Sequence, residues 1–546
     1  MNQTLSFLMR YVLQEKKWFF SGIFAILFTS FFTWLSPQVL ARVIDESFAT
    51  RLIVFFAFSE FLKLITGYLT QKTFARFGQN VIEHIRAAMI DHLMKVPVSY
   101  YDRSSSGQIM TRVVNDVNSL TDFFQSGLIS IVGSGASVLA IFLGIYSLNH
   151  QLAILLFLFF VPFVYACSIF SRKLRVAYED TRNELSHFNS MLADFLFGMK
   201  TIRSLSLNAQ KSRALSQQVN NYSAAQVRMV HTFALFHPTL SLGIGVLFFV
   251  LILRGVPMVD HGILKTGEWV AVLSYIFSLQ QPLMEITDRW NFFLAGLTSI
   301  DRIRNVFVEP LEKTGSKSPP KLESIVLNNV SFRYESGKKN ILSQANLKIE
   351  LGDRIGVYGE TGMGKTTLLQ LLYGFYLPTQ GELCWNGVSY SQYSLADIRQ
   401  YFGVVEQFPL LFSGTIQENI SLFDRFEFDQ EKMRAKFKDY PLISSILDRL
   451  HEPVRERGNN FSMGEKQMIS FLRAFLKEPQ IWILDEATAF FDPDAEAEFM
   501  RALSTLGSKI IIVQIAHRKE ALNQMKRLVQ VDQGRLVEQS SSTNSK

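Results

Sequence analysis

Gly359, Gly364, Lys365 and Thr366 stand at the spacing G-x-x-x-x-G-K-[ST] within Gly356–Leu372, GVYGETGMGKTTLLQLL. An apolar run containing Ile355 and Val357 precedes them and a helix-favouring segment follows, the strand–loop–helix context that gives the spacing physical meaning. Glycines let successive backbone N–H groups turn inward around an anion, and the helix behind them offers its positive end. Lys365 brings a point charge for the outer phosphates, and the Thr366 hydroxyl suits Mg²⁺. Farther along, the apolar run Ile481–Leu484 ends in Asp485-Glu486. Two carboxylates at the C-terminal end of a buried strand can serve a metal ion and an attacking water. The chemistry implied is nucleotide binding with phosphoryl transfer to water.

Such residues need an α/β scaffold, yet the chain as a whole is too apolar to be only that. Of 546 residues, 48% are hydrophobic and 19% charged, with 48 Phe against 6 Trp, and the mean hydropathy is +0.14. That balance points to membrane spans. The length fits two or three domains. Cys167 and Cys384 are the two cysteines, too few for a disulfide framework or a metal cluster. The first twenty residues lack a small-residue cleavage site, so no cleaved signal peptide is expected.

The elements expected to hold the site begin with a transmembrane domain over 1–308. Leu5, Leu8, Met9, Val12 and Leu13 share one helical face, an amphipathic segment over 4–16 suited to a membrane surface. Six spans are expected, at about 18–40, 52–71, 123–148, 151–170, 232–254 and 267–285, each near the ~20 residues that cross ~30 Å of hydrocarbon. Glu60 and Lys63 interrupt the second, either as part of a substrate cavity or as a self-neutralising pair. The long segments Lys72–Asp122 and Ser171–His231 are rich in Lys and Arg, whereas the other connections are short and nearly neutral. The positive-inside rule then puts the termini and both long loops in the cytoplasm of a multi-pass inner or plasma membrane protein. The net charge of +7 is thereby topological, and no nucleic-acid partner is required. Both long loops read as helical extensions, broken near Gly107 and Gly198.

Residues 309–324, EPLEKTGSKSPPKLES, read as a linker. From 325 to 538 short β-like runs alternate with helices around the glycine loop, the pattern of an α/β ATPase, and 539–546 read as a disordered tail. The fold class expected is therefore multi-domain: an all-α six-helix transmembrane domain with long cytosolic helical loops, then an α/β P-loop ATPase domain.

The ordered motif set resembles that of ATP-binding cassette (ABC) exporter half-transporters over almost the whole chain. Gly359–Thr367 is similar to the Walker A loop and Ile481–Glu486 to the Walker B strand. Gln407, before LFSGTIQENI, resembles the Q-loop glutamine, Ala489–Asp492 the D-loop, and His517 the switch histidine. YYDRSSSGQIMTRVVNDV and FGMKTIRSLSLNAQ resemble the two intracellular loops of these exporters. The resemblance implies that ATP phosphates are held by Gly359, Glu360, Thr361, Gly362, Met363, Gly364, Lys365, Thr366 and Thr367. It puts Mg²⁺ on Thr366, Gln407 and Asp485, and adenine on Tyr334. Glu486 would polarise the attacking water, His517 would grip the γ-phosphate, and Gln407 would sense the nucleotide state. Ser462 and Gly464 would cap the ATP of an opposite subunit.

That last motif departs from the family pattern Leu-Ser-Gly-Gly-Gln, reading Phe461-Ser462-Met463-Gly464-Glu465. Met463 adds a side chain where backbone must approach phosphate, and Glu465 brings a carboxylate toward a polyphosphate. Phe490-Phe491 alter the D-loop, and Met363 sits inside Walker A. The implied partner is a second half-transporter carrying an intact signature, a heterodimer in preference to a homodimer. Alternatives on the same fold are a lipid flippase, an importer, or an ATP-binding regulatory half with little hydrolysis. The transported substrate is not legible.

Overall fold

The computed structural model describes residues 2–335, 337, 339–491, 493–505, 507–516, 522 and 525–540. The chain forms two compact units, Met1–Met94 with Ser106–Glu309, and Lys95–Ser105 with Pro310–Lys546.

The first unit is helical. A short helix, Asn2–Val12, precedes the long helices Lys16–Asp45, Thr50–Leu93, Ile129–Leu148, His150–Phe197, Asn208–Asp260 and Thr266–Val308. Small residues let these helices approach closely: a Cβ on Gly144 would stand 2.3 Å from the Tyr275 ring. Ile141, Ile145, Leu156, Leu251 and Tyr275 form a buried cluster around that contact. Among the described residues, five helices are long and apolar enough to cross a membrane. The sixth expected span lies within the unbroken helix Thr266–Val308 but outside that set, because Gln280, Gln281 and Glu285 dilute its apolar run. Glu60 and Lys63 pair at 3.7 Å on one helical face.

The first long loop breaks at Ser104-Ser105, between the helices Val98–Arg103 and Ser106–Thr111, so Gly107 lies inside a helix and not at the break expected around it. Gly198 separates His150–Phe197 from the short helix Met199–Ser204.

The second unit holds twelve strands among its described residues. In chain order they are β1 (Ser324–Phe332), β2 (Leu342–Glu350), β3 (Arg354–Tyr358), β4 (Gln380–Trp385), β5 (Val388–Ser389) and β6 (Phe402–Val405). There follow β7 (Gly414–Thr415), β8 (Pro453–Val454), β9 (Ile481–Asp485), β10 (Ile511–Ala516), β11 (Arg527–Asp532) and β12 (Arg535–Ser540). An antiparallel sheet runs β2-β1-β4-β5, and a six-stranded sheet runs β12-β11-β3-β10-β9-β6. In the latter β11, β3, β10, β9 and β6 are parallel, and β9 and β10 are apolar almost throughout, as strands covered on both faces must be. Residues 310–324 are bound to this unit and do not hang free: Glu312 pairs with Arg399, and Gly315 N–H donates to Tyr393 O at 2.8 Å. A Cβ on Gly315 would overlap the Gln392 carbonyl, so this contact requires glycine there.

Candidate nucleotide site

Parallel strands point their C-terminal ends to one edge of a sheet, and ligands of open α/β sheets bind along that edge. Four expected site segments leave from it. The glycine loop follows β3, Asp485 and Glu486 end β9, Gln407 stands two residues past β6, and β10 leads to His517. His517 and Asp492 lie outside the described residues.

The loop is shaped by its glycines. Gly364 has φ 106° at the N-cap of the helix Lys365–Leu372, a left-handed conformation that a residue with Cβ adopts at a cost. Gly359 has φ 154°, and a Cβ there would stand 2.5 Å from Val531 O. Lys365 is only 6% exposed and folds back over the loop, donating from Nζ to Gly359 O at 2.6 Å and Glu360 O at 3.0 Å. Burial pushes its pKa down while the Glu486 and Asp485 carboxylates oppose that. Carbonyl oxygens thus hold a cation that outer phosphates would attract more strongly. Thr366 is exposed in the first turn of the helix, whereas Thr367 is buried. Met363 packs against the apolar core beneath the loop, which explains how a bulky residue fits there.

Glu486 and Gln407 meet directly: Gln407 Nε2 donates to Glu486 Oε2 at 2.6 Å. Glu486 has φ 49°, unusual for a residue with a side chain, and its N–H donates to Ile515 O on β10 at 3.2 Å. Such a conformation costs on the order of 1–3 kcal/mol and persists where neighbours enforce it, typically at functional sites. The Gln407 backbone is anchored as well, its carbonyl accepting from Gln467 Nε2 at 3.3 Å. Gln467 is fully buried in the helix Met463–Leu476.

Tyr334, the residue expected to meet adenine, is aimed by the phosphate-loop helix. Its hydroxyl donates to Gln370 Oε1 at 2.6 Å and lies 3.1 Å from Thr367 Oγ1. Its ring meets Tyr376 edge-on, with centroids 5.2 Å apart. Beside it opens a cavity of about 630 Å³ lined by Phe332, Tyr376, Leu377 and the first-loop residues Ser99, Asp102 and Arg103. Asp102 accepts from the Tyr376 hydroxyl, and Arg103 pairs with Glu335 at 2.7 Å.

The signature segment corrects one expectation. Ser462 caps the helix Met463–Leu476: its Oγ accepts from Glu465 N–H at 3.2 Å, and Ser462 N–H donates to Glu465 Oε2 at 2.8 Å. This is a capping box, Ser-x-x-Glu, which satisfies two otherwise unpaired donors. The other carboxylate oxygen meets Arg449 Nη1 at 2.6 Å. Burial raises the Glu465 pKa, but the Arg449 and Ser462 hydrogen bonds outweigh it and hold the carboxyl below its usual range. Glu465 is therefore turned back into its own chain as a cap and ion-pair partner, away from the role of an opposing charge. Ser462 stays exposed, and a Cβ on Gly464 would meet Phe491 only at an ordinary 3.5 Å. Among the described residues, no hydrogen bond joins Ser462 or Gly464 to Gly359–Thr367.

Gln467, Arg449, Gln370 and Tyr376 carry no motif of their own and were not expected. Gln370 and Gln467 lie within a few residues of a motif in sequence.

Residues 18–283 match the family described as the ABC transporter transmembrane region, and residues 342–489 match the family described as ABC transporter. The chain belongs to the ABC transporter family. In Bacillus subtilis, the "Probable multidrug resistance ABC transporter ATP-binding/permease protein YheH" is 28% identical over 518 residues, covering 93% of this chain and 76% of the relative. The ATP-dependent lipid A-core flippase of Vibrio cholerae is 24% identical over 514 residues, covering 92% and 88%. The solved structure of a bacterial Atm1-family ABC exporter with ATP bound aligns with a TM-score of 0.77, covering 99% of this chain and 95% of that one at 20% identity, a likeness of fold. The chain is an ABC transporter with an ATPase coupled to transport, built from a helical transmembrane domain and a nucleotide-binding domain.

Proposed function

We propose that the chain is one half of a dimeric exporter in which Glu486 accepts the proton of the water that attacks ATP and Gln407 reports the nucleotide state. The observation that carries this reading is the 2.6 Å Gln407–Glu486 hydrogen bond on the edge shared with the phosphate loop. Gly359–Thr367 cradle the phosphates, Lys365 exchanging its two carbonyl partners for phosphate oxygens. Tyr334 stacks on adenine, and His517 contacts the γ-phosphate. The exposed Thr366 hydroxyl, with Asp485 and Gln407, suits Mg²⁺, which when bound neutralises charge on the phosphates. Positioning and charge stabilisation account for most of phosphoryl-transfer catalysis, and these residues supply both. The nucleotide-binding domain and N-terminus face the cytoplasm, following the basic loops.

A second chain is required by the same reading. Ser462 is exposed and Gly464 half-buried on the face that would meet an opposing ATP, and Phe197, at the tip of the second long loop, is 91% exposed. A heterodimer is favoured by Met463, whose side chain enlarges a surface that must close on phosphate. The capping role of Glu465 favours a homodimer instead, since it withdraws one of the two objections. The deciding experiment purifies this chain alone. Low ATPase without a partner supports the heterodimer; robust, transport-coupled ATPase from a homodimer refutes it. Export itself is tested by ATP-dependent uptake into inside-out vesicles, abolished by Lys365→Ala; uptake persisting in that variant contradicts it.

A further inference from the structure

The transmembrane unit contains a cavity of about 660 Å³ between the helices Lys16–Asp45, Thr50–Leu93, Ile129–Leu148 with its preceding turn, and Thr266–Val308. That volume suits a drug-sized molecule or the polar part of an amphiphile. Its lining is polar for a membrane domain. Thr29, Ser30 and Thr33 share one face of the first helix, and Ser126, Ser130 and Ser134 share another, at the i, i+4 spacing that keeps side chains in line.

The hydroxyls fall into two groups. Thr29, Thr33, Thr70 and Ser137 donate to their own helix carbonyls, at 2.8 to 3.0 Å. Ser30 is 8% exposed and its Oγ has no hydrogen-bond partner. Among the described residues, the side chains of Gln71, Gln125, Ser126 and Ser130 also make no hydrogen bond to the protein. Gln71 and Gln125 are exposed, but a buried or half-buried polar group without a partner costs free energy unless something meets it, so Ser30, Ser126 and Ser130 are donors in want of an acceptor.

Charge gives that acceptor a sign. Three charged residues line the cavity, Lys63, Glu285 and Arg289. Both carboxylate oxygens of Glu285 are occupied, Oε2 by Ser134 Oγ at 2.7 Å and Oε1 by Gln281 Nε2 at 3.0 Å. Lys63 is held by Glu60 at a long 3.7 Å, and Glu60 is not among the lining residues. Arg289 has no carboxylate partner among the described residues, only the Phe292 ring at 5.8 Å. Two cations therefore line the cavity against one carboxylate, whose charge the neutral Ser134 and Gln281 donors leave in place, so the lining is net positive by one.

We infer that this cavity takes an anionic, hydroxyl-bearing group, a phosphate or carboxylate held by Arg289 and Lys63 with its hydroxyls on Gln71, Gln125 and the serine face. The inference rests on the export reading for the direction of movement but not for binding. An apolar cation would meet like charge at Lys63 and Arg289 and leave these donors unpaired, so the same residues exclude it.

The test measures binding, not turnover. Radiolabelled dihexanoyl-phosphatidylglycerol is titrated against the purified full chain in detergent, with dihexanoyl-phosphatidylcholine, glycerol 1-phosphate and tetraphenylphosphonium as competitors. Phosphatidylglycerol should bind at least tenfold more tightly than phosphatidylcholine, and tetraphenylphosphonium should not compete. Arg289→Gln with Lys63→Gln should weaken binding at least tenfold, while Arg289→Lys retains it and shows that the fold survives. Competition by glycerol 1-phosphate identifies a soluble phosphoester as sufficient; its absence assigns the site to an amphiphile's head group, and either result supports the inference. Equal binding of tetraphenylphosphonium, or unchanged affinity in the double variant, overturns it. Loss of ATP-driven uptake with phosphatidylglycerol binding intact overturns the export reading alone.

Discussion

Gln407 Nε2 lies 2.6 Å from Glu486 Oε2, and the two residues follow the ends of different strands, β6 and β9, paired in parallel. The amide donor fixes one carboxylate oxygen of Glu486 in place. Glu486 is further held by its left-handed backbone and by Ile515 O, and Gln407 by Gln467. The pair is thus held in one geometry beside the glycine loop.

Replacing Gln407 by Ala should leave ATP affinity within about threefold and lower kcat roughly ten- to a hundredfold, since it removes an orienting group and not the base. Steady-state ATPase with a nucleotide-binding titration measures both. An equal loss in kcat and binding would make Gln407 a ligand-binding residue instead.

Tyr376 ties the first long loop to the nucleotide unit through Asp102, with Arg103–Glu335 beside it. Burial pushes the Tyr376 pKa up, and the Asp102 carboxylate adds to the shift, so the hydroxyl remains a donor at any physiological pH. Hydrogen bonds to charged groups contribute about 1.5–3 kcal/mol, so Tyr376→Phe should speed amide exchange over residues 98–103 about tenfold or more. Exchange unchanged in that helix would show that the bond does not hold the loop.

Met463 and Glu465 should behave differently when substituted. Glu465→Gln keeps the reciprocal cap and should change ATPase less than about threefold, whereas Glu465→Ala loses the cap at a cost of about 1 kcal/mol in stability. Met463→Gly should raise the ATPase of the chain purified alone, by about tenfold if the side chain blocks closure at a cost near 1.4 kcal/mol. A large gain from Glu465→Gln would restore the charge-repulsion account.

Lys477 donates to Arg399 O and Phe402 O at 2.7 and 2.6 Å, and burial, with Arg425 adding to it, pushes its pKa down to about 8. The unfolded chain holds this proton up to about pH 10.4, so between pH 8 and that value unfolding takes up a proton. Raising the pH through this window therefore stabilises the folded state at this residue. Thermal unfolding of the wild type relative to Lys477→Met should show the wild type gaining between pH 8 and 10. A constant difference would contradict the buried, shifted ammonium.

The glycine loop was legible because its pattern is contiguous: glycines, lysine and threonine within Gly359–Thr366 dictate a strand–loop–helix turn. Asp485 and Glu486 were legible from a strand ending in acid. Gln467 and Tyr376 were not, because each meets its partner, Gln407 or Asp102, across a long stretch of chain. Glu465 was misjudged because a carboxylate's direction depends on Arg449, sixteen residues upstream, and on a cap that only the folded turn forms. The transmembrane cavity was hidden for another reason: Ser and Thr barely disturb an apolar run, so a polar helix face passes unnoticed within a span. The Gln280, Gln281 and Glu285 that weaken the sixth span as a hydropathy signal lie on the helix that supplies Glu285 and Arg289 to that cavity.

The central claim is that Glu486 is the base of an ATP-hydrolysing site in this exporter. Single-turnover conversion of radiolabelled ATP by the purified dimer, wild type against Glu486→Gln, tests it most directly. The account predicts that the variant retains ATP with wild-type affinity and hydrolyses it at least about a hundredfold more slowly, the scale of a lost general base. Hydrolysis by Glu486→Gln at the wild-type rate would contradict it.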